Sequence, residues 1–240
     1  MPNTILAEVP YPLFIALVDY CLSFVTHHLC MDVAIKFPVT LAERLEMEAD
    51  EPRFPGTLAE FADLLEVCEY PLEFQNGEII AMSIASDPHE RIVANILFVL
   101  GLIFKGEQLY RRYGSNRHVF IPEVPAAYSP DASVVQGRPD IIEYAKGKTA
   151  NLNPWLLVEV MSGSTRGKDY AEKLPRYKKM PTVQYIVYLE QDFPLVTVFQ
   201  RSAETGRWIS MDYDSLEQSF IIEGREVLLS DIYENIFDAA

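Results

Sequence analysis

Apolar positions crowd residues 11–25, YPLFIALVDYCLSFV, and continue to about Phe37, which predicts a helical N-terminal segment. An acidic, helix-prone stretch, LAERLEMEADEPRFPG, follows and ends at Pro55-Gly56. That break predicts a boundary between an N-terminal helical and acidic extension, residues 1–55, and a domain, residues 56–240. The apolar run carries Asp19, has no Lys or Arg before it, and is shorter than the roughly 18 to 20 residues a membrane span requires. A soluble, cytoplasmic protein with no membrane partner is the expectation.

Beyond the boundary the pattern alternates between the two periods. Thr57 and Glu60 form a capping-box pair ahead of Phe61, Leu64 and Leu65, predicting a helix start. LEFQNGEIIAMS reads as two short strands around Asn76-Gly77, a strong hairpin signal. From His89 to about Phe104, Ile92, Val93, Ile96, Leu97, Val99, Leu100 and Ile103 fit a helix with a broad buried face. Strand-like runs follow at 117–121, 132–135 and 155–161, then a helix near 170–180 and the strands VQYIVYL and LVTVFQR. The loop SAETG turns back into RWISMDY, and a turn at Glu223-Gly224-Arg225 precedes a short helix that Ser230 is placed to cap. Strands bracketed by helices predict an α/β, mixed α+β fold with a mixed sheet covered by helices.

Composition changes this picture little, and charge changes it more. The 240 residues are 49% hydrophobic and contain no repeat or low-complexity tract, so one large domain with an appendage is expected. Cys21, Cys30 and Cys68 form no C-x-x-C pair, which favours a reducing compartment. Cys21 and Cys30 flank His27 and His28, but at no familiar zinc spacing. The formal net charge of -15 argues against a polyanionic partner. Its distribution does not: residues 41–80 carry a net -9, whereas residues 105–179 carry a net +5. Any weak, salt-sensitive DNA contact is expected from that middle segment, with Arg111 and Arg112 as candidates.

Glu159 stands inside the apolar run WLLVEVM, and a buried carboxylate needs a cation, a donor network or a metal. YSPDASVV sets Asp131 after a proline at the head of the preceding strand. Carboxylates on neighbouring strands can converge on a divalent cation, since hard ions take oxygen ligands. The structural alternative makes Asp131 a turn residue after Pro130 and pairs Glu159 with an arginine.

The order Pro-Asp, then Glu in an apolar strand, then a nearby Lys resembles the PD-(D/E)xK nuclease superfamily. From Thr57 onward, TLAEF, YPLEFQNGEIIAMS, PHERI, SPDASVV, WLLVEVMSGSTRGKDYAEK and VQYIVYL together resemble the Uma family of restriction-endonuclease-like proteins. The resemblance implies a restriction-endonuclease-like sheet flanked by helices. It also implies a Mg²⁺- or Mn²⁺-dependent endonuclease acting on DNA, with Asp131 and Glu159 holding the metal and Glu78 as a third acid. Lys173 would replace the lysine usually found two residues after the Glu, where this chain has Met161. Pro175, two residues beyond Lys173, threatens that helix, with Lys168 or Lys178 as substitutes. His89 would touch a phosphate or begin its helix as a cap. The N-terminal extension is open to three readings: a lid, an element making a homodimer, or an upstream extension of the reading frame. The alternative to an enzyme is an inactive nuclease fold that binds nucleic acid or protein.

Overall fold

The computed structural model describes residues 36–145, 147–163 and 165–237. The chain divides into two compact units, Met1–Phe37 and Pro38–Ala240. The expected N-terminal helix, the run at 11–25 and the Cys21–Cys30 cluster lie outside the described residues.

The second unit begins upstream of the boundary expected at residue 55. It opens with α1 (Leu41–Leu45), capped by Thr40 and Glu43, then β1 (Arg53–Pro55) and α2 (Leu58–Leu64). Thr57 caps α2 and Glu60 completes the capping box. Next come β2 (Leu72–Gln75), β3 (Glu78–Ala81) and α3 (Asp87–Ile103), followed by β4 (Tyr110–Gly114), β5 (Val119–Ile121), β6 (Ala126–Tyr128) and β7 (Ala132–Gln136). β8 (Ile141–Ala145), β9 (Lys148–Asn151) and β10 (Leu156–Met161) lead into a helix made of α4 (Arg166–Lys168), a π turn (Asp169–Lys173) and α5 (Leu174–Lys179). The chain closes with β11 (Tyr185–Glu190), β12 (Val196–Arg201), β13 (Trp208–Tyr213), β14 (Ser219–Ile222), β15 (Arg225–Leu228) and α6 (Leu229–Ile232).

The expected single sheet is two mixed sheets and a hairpin. One sheet has the order β1-β3-β2-β6-β5-β9-β8, the other β13-β12-β11-β10-β7-β4, and β14 pairs with β15. Asn76 and Gly77 both take positive φ, 51° and 82°, as a two-residue hairpin with the right twist requires. Because β1 pairs with β3, residues 53–55 belong to this sheet.

The connection that matters most for the site follows β10. β10 and β11 run parallel, with Glu159 paired to Tyr188, so the chain must cross over between them. The helix from Arg166 to Lys179 makes that crossover, and it returns across the strand that carries Glu159.

Two apolar clusters hold the layers together. One face of β10 and β11, including Val158, Val160 and Val187, packs with Ile92, Ile96 and Leu100 of α3 and with Phe220 and Ile232. The opposite face, with Leu157, Met161, Ile186 and Tyr188, meets Val119, Ile121 and Tyr128 of the other sheet and Leu174 and Tyr177 of the crossover helix. Burial of large side chains on both faces explains why β10 reads as a continuous apolar run instead of an alternating one.

Three local expectations are corrected. Ser86, not His89, caps α3, accepting the His89 N–H at 3.3 Å. Ser230 lies inside α6, which has no side-chain cap. Pro175 neither delays the helix, which starts at Arg166, nor carries Lys173 out of the site, because it falls in the first turn of α5 directly after the π turn. The π turn absorbs the extra backbone there, so the proline ring needs no α-helical N–H and the helix continues.

Candidate active site

Glu159 shares its side-chain parity with Leu157 and Met161, so it points between the two sheets. It is 4% exposed, and both its oxygens are engaged. Tyr177 Oη donates to Oε1 at 2.6 Å, and Lys173 Nζ lies 3.3 Å from Oε2. A protein cation therefore does meet Glu159, but it is the lysine of the crossover helix and not an arginine.

Asp131 immediately precedes β7, whose Ala132 pairs with Val158, so one further step of that ladder sets Asp131 opposite Glu159. Its Oδ2 accepts the Val160 N–H at 2.7 Å, and its Oδ1 lies 3.2 Å from His89 Nε2. Asp131, Glu159, Lys173 and His89 line one pocket of about 820 Å³.

A second layer of charge comes from the first sheet. Lys173 Nζ is 2.9 Å from Glu73 Oε1 on β2 and 3.6 Å from Asp169 Oδ1 one turn back. Lys168 Nζ lies 3.0 Å from both Glu73 Oε2 and Glu51 Oε2. Glu51, Glu73, Asp131, Glu159 and Asp169 thus surround two ammonium groups and one imidazole, an excess of carboxylates.

That excess divides the acids. Burial opposes ionisation of Glu73, yet Lys168 and Lys173 hold its carboxyl down at about 2. Burial pushes Glu159 well above the usual carboxylate range; Lys173 counters this only in part, since Asp169, Asp131 and Glu73 repel a further charge. Asp169 is raised too, again chiefly by burial. Burial would discharge Lys173, but Glu159, Glu73 and Asp169 outweigh it and hold the ammonium charged. Burial also works against His89, and Asp131 more than compensates, raising the imidazole above its ordinary value.

The remaining expected residues fall elsewhere. Glu78, expected as the third acid, does not line this pocket: it opens β3 after the turn and pairs with Arg53 at 3.3 Å. The acid that reaches the pocket is Glu73, five residues earlier, flanked by the buried Leu72 and Phe74. Arg111 and Arg112 sit on the edge strand β4 outside the pocket, their guanidinium groups donating to the carbonyls of Gly137 and of Leu100 and Gly101. Lys178 is also outside, its ammonium 4.3 Å from the centre of the Phe199 ring. Lys168 reaches the site through Glu73, beside Lys173 and not in place of it.

The donor chemistry of Asp131 and Glu159 fits a hard divalent cation, because both carboxylates line one pocket where negative charge is in surplus. Among the described residues no three His, Cys, Asp or Glu side chains form a metal cage. Two carboxylates, with water and substrate oxygens filling the other positions, would hold such an ion. No helix among the described residues is long and apolar enough to cross a membrane.

Two mixed sheets, a crossover helix and acids on adjacent strands define a nuclease-like fold. A crystal structure of a putative nuclease belonging to DUF820 from Anabaena variabilis superimposes with a TM-score of 0.54 at 14% identity, covering 74% of this chain and 98% of that one. The chain belongs to the Uma2 family, described as "Putative restriction endonuclease", whose model matches residues 58–230. An uncharacterized Synechocystis protein, sll1609, is 29% identical over 153 residues, 64% of this chain and 84% of its own length.

Proposed function

We propose that this protein is a Mg²⁺- or Mn²⁺-dependent endonuclease that hydrolyses DNA phosphodiester bonds. The observation that carries the reading is the approach of Lys173 to Glu159 beside Asp131 in one pocket, with more carboxylates than cations around them. Asp131 and Glu159 would hold the ion, which when bound supplies Lewis-acid polarisation of a phosphate oxygen and a more acidic water.

The chain's own residues do the rest. Lys173, kept charged by three carboxylates, orients the attacking water and offsets the charge that builds on the phosphoryl oxygens. Glu73 fixes that ammonium from the opposite sheet. Tyr177 holds Glu159 in its rotamer by donating to Oε1. His89, held beside Asp131, donates to a phosphate or leaving-group oxygen. Weak, salt-sensitive backbone contact falls to the net-positive segment 105–179, Arg111 and Arg112 included.

Supercoiled plasmid incubated with Mg²⁺ or Mn²⁺ tests the proposal. Wild-type protein should nick it, while Asp131→Asn, Glu159→Gln and added chelator should each stop the nicking. Salt-sensitive binding without cleavage under any divalent ion would mark the chain as a nucleic-acid-binding relative of nucleases. Cleavage that survives both substitutions would remove these carboxylates from the chemistry.

A further inference from the structure

The pocket has a second wall that the hydrolytic chemistry does not use. It is built by the turn between β4 and β5, which brings Ser115, Asn116 and His118 to the same cavity as Asp131 and Glu159. The His118 ring is fixed from behind: Nδ1 is 2.9 Å from Tyr144 Oη, and the ring lies 5.9 Å from that of Phe61. The tautomer in which Tyr144 donates to Nδ1 carries its proton on Nε2 and leaves that nitrogen free of this contact.

The surroundings keep the ring neutral. Burial lowers the pKa of His118; Glu73 opposes this, while Lys148 and Arg117 add to it. His118 and Asn116 therefore offer hydrogen bonds without charge, unlike Lys173. Apolar side chains line the same cavity: Leu65, and the exposed Leu45 and Ile84, 65% and 47% accessible. Neutral donors and acceptors beside apolar surface suit the edge and face of a nucleobase, not a phosphate.

From these features we propose that this wall is a nucleobase subsite, and that the substrate is an unpaired strand, drawn in at a single-stranded stretch or a frayed end. This inference rests on the nuclease reading above and names its substrate class. Glu159 is 4% exposed and lines a pocket of about 820 Å³, a volume within the range that holds small ligands. A duplex keeps its bases stacked inside a stiff cylinder, so only an unstacked nucleotide brings both a base to His118 and its phosphodiester to Asp131.

Anisotropy with a labelled 12-nucleotide single strand, and with the same sequence as a blunt duplex, tests it on the full chain. The single strand should bind about tenfold or more tighter, the order of one stacked base. His118→Ala should remove most of that preference and leave duplex binding unchanged. His118→Gln, whose amide nitrogen reaches about as far as Nε2, should retain most of it. Asn116→Ala changes an exposed residue and gives a second reading that does not depend on folding. Equal or tighter binding of the duplex, or equal weakening of both probes by His118→Ala and Asn116→Ala, overturns the subsite. Failure to bind either probe, together with failure to nick plasmid, would instead overturn the nuclease reading and the subsite with it.

Discussion

Lys173 Nζ lies 3.3 Å from Glu159 Oε2, although 14 residues separate them and a proline follows two positions after the lysine. The crossover demanded by two parallel strands and the π turn ahead of Pro175 together bring the lysine back to the glutamate. Lys173→Met should abolish nicking and leave Glu73, Glu159 and Asp169 facing one another. Removing one partner of a buried ion pair costs about 3 to 5 kcal/mol, so a urea melt should shift by that order. An unchanged midpoint would show that Lys173 does not neutralise these acids.

Glu73 gives a pH-dependent signature. Its carboxyl is depressed from 4.5 to about 2, so its contribution to stability is fully present above pH 4.5 and is lost as the pH falls toward 2. At about 1.4 kcal/mol per pH unit, that depression corresponds to about 3 kcal/mol. Glu73→Gln should be less stable than the wild type at pH 7 by that order, and the gap should narrow below pH 4.5. Urea titrations at pH 7, 5 and 3.5 measure it, and a gap that stays constant with pH would exclude the ion-pair origin.

Glu78 provides the contrast. Its side chain is 45% exposed and pairs with Arg53 away from the pocket, and exposed pairs contribute at most about 1 kcal/mol. Glu78→Ala should leave plasmid nicking at the wild-type rate and melt within a few degrees of the wild type. Loss of activity with the fold intact would return Glu78 to the chemistry.

A divalent cation should relieve the crowding of carboxylates. Binding to the folded state alone stabilises it by about 2.7 kcal/mol when free metal is 100 times Kd. The melting temperature of the wild type should therefore rise with Mn²⁺. Asp131→Asn still offers an oxygen to the Val160 N–H but loses the charge, so its response to Mn²⁺ should largely vanish. Equal responses from both proteins would place any ion elsewhere.

Local chemistry determined what could be read along the chain. The capping box at Thr57, the Asn76-Gly77 turn and the buried face of α3 each depend on neighbours within a few residues, and each forms as expected. Glu159 was legible for a related reason, since a carboxylate within a continuous apolar strand demands a partner. The same signal marks Glu73 between Leu72 and Phe74, yet Glu78 beside the turn drew the assignment by resemblance. Which of the two enters the pocket depends on side-chain parity in β2 and β3 and on which strands flank them, and no local pattern states that. Short strands such as β6 and β9, three and four residues long, carry too few positions to show a period. Tertiary structure alone decided that β10 and β11 are parallel, and that geometry puts Lys173 and Tyr177 over Glu159. It also decided that the lysine is shared with Glu73 from another sheet, because contacts between layers depend on packing distance and not on separation along the chain.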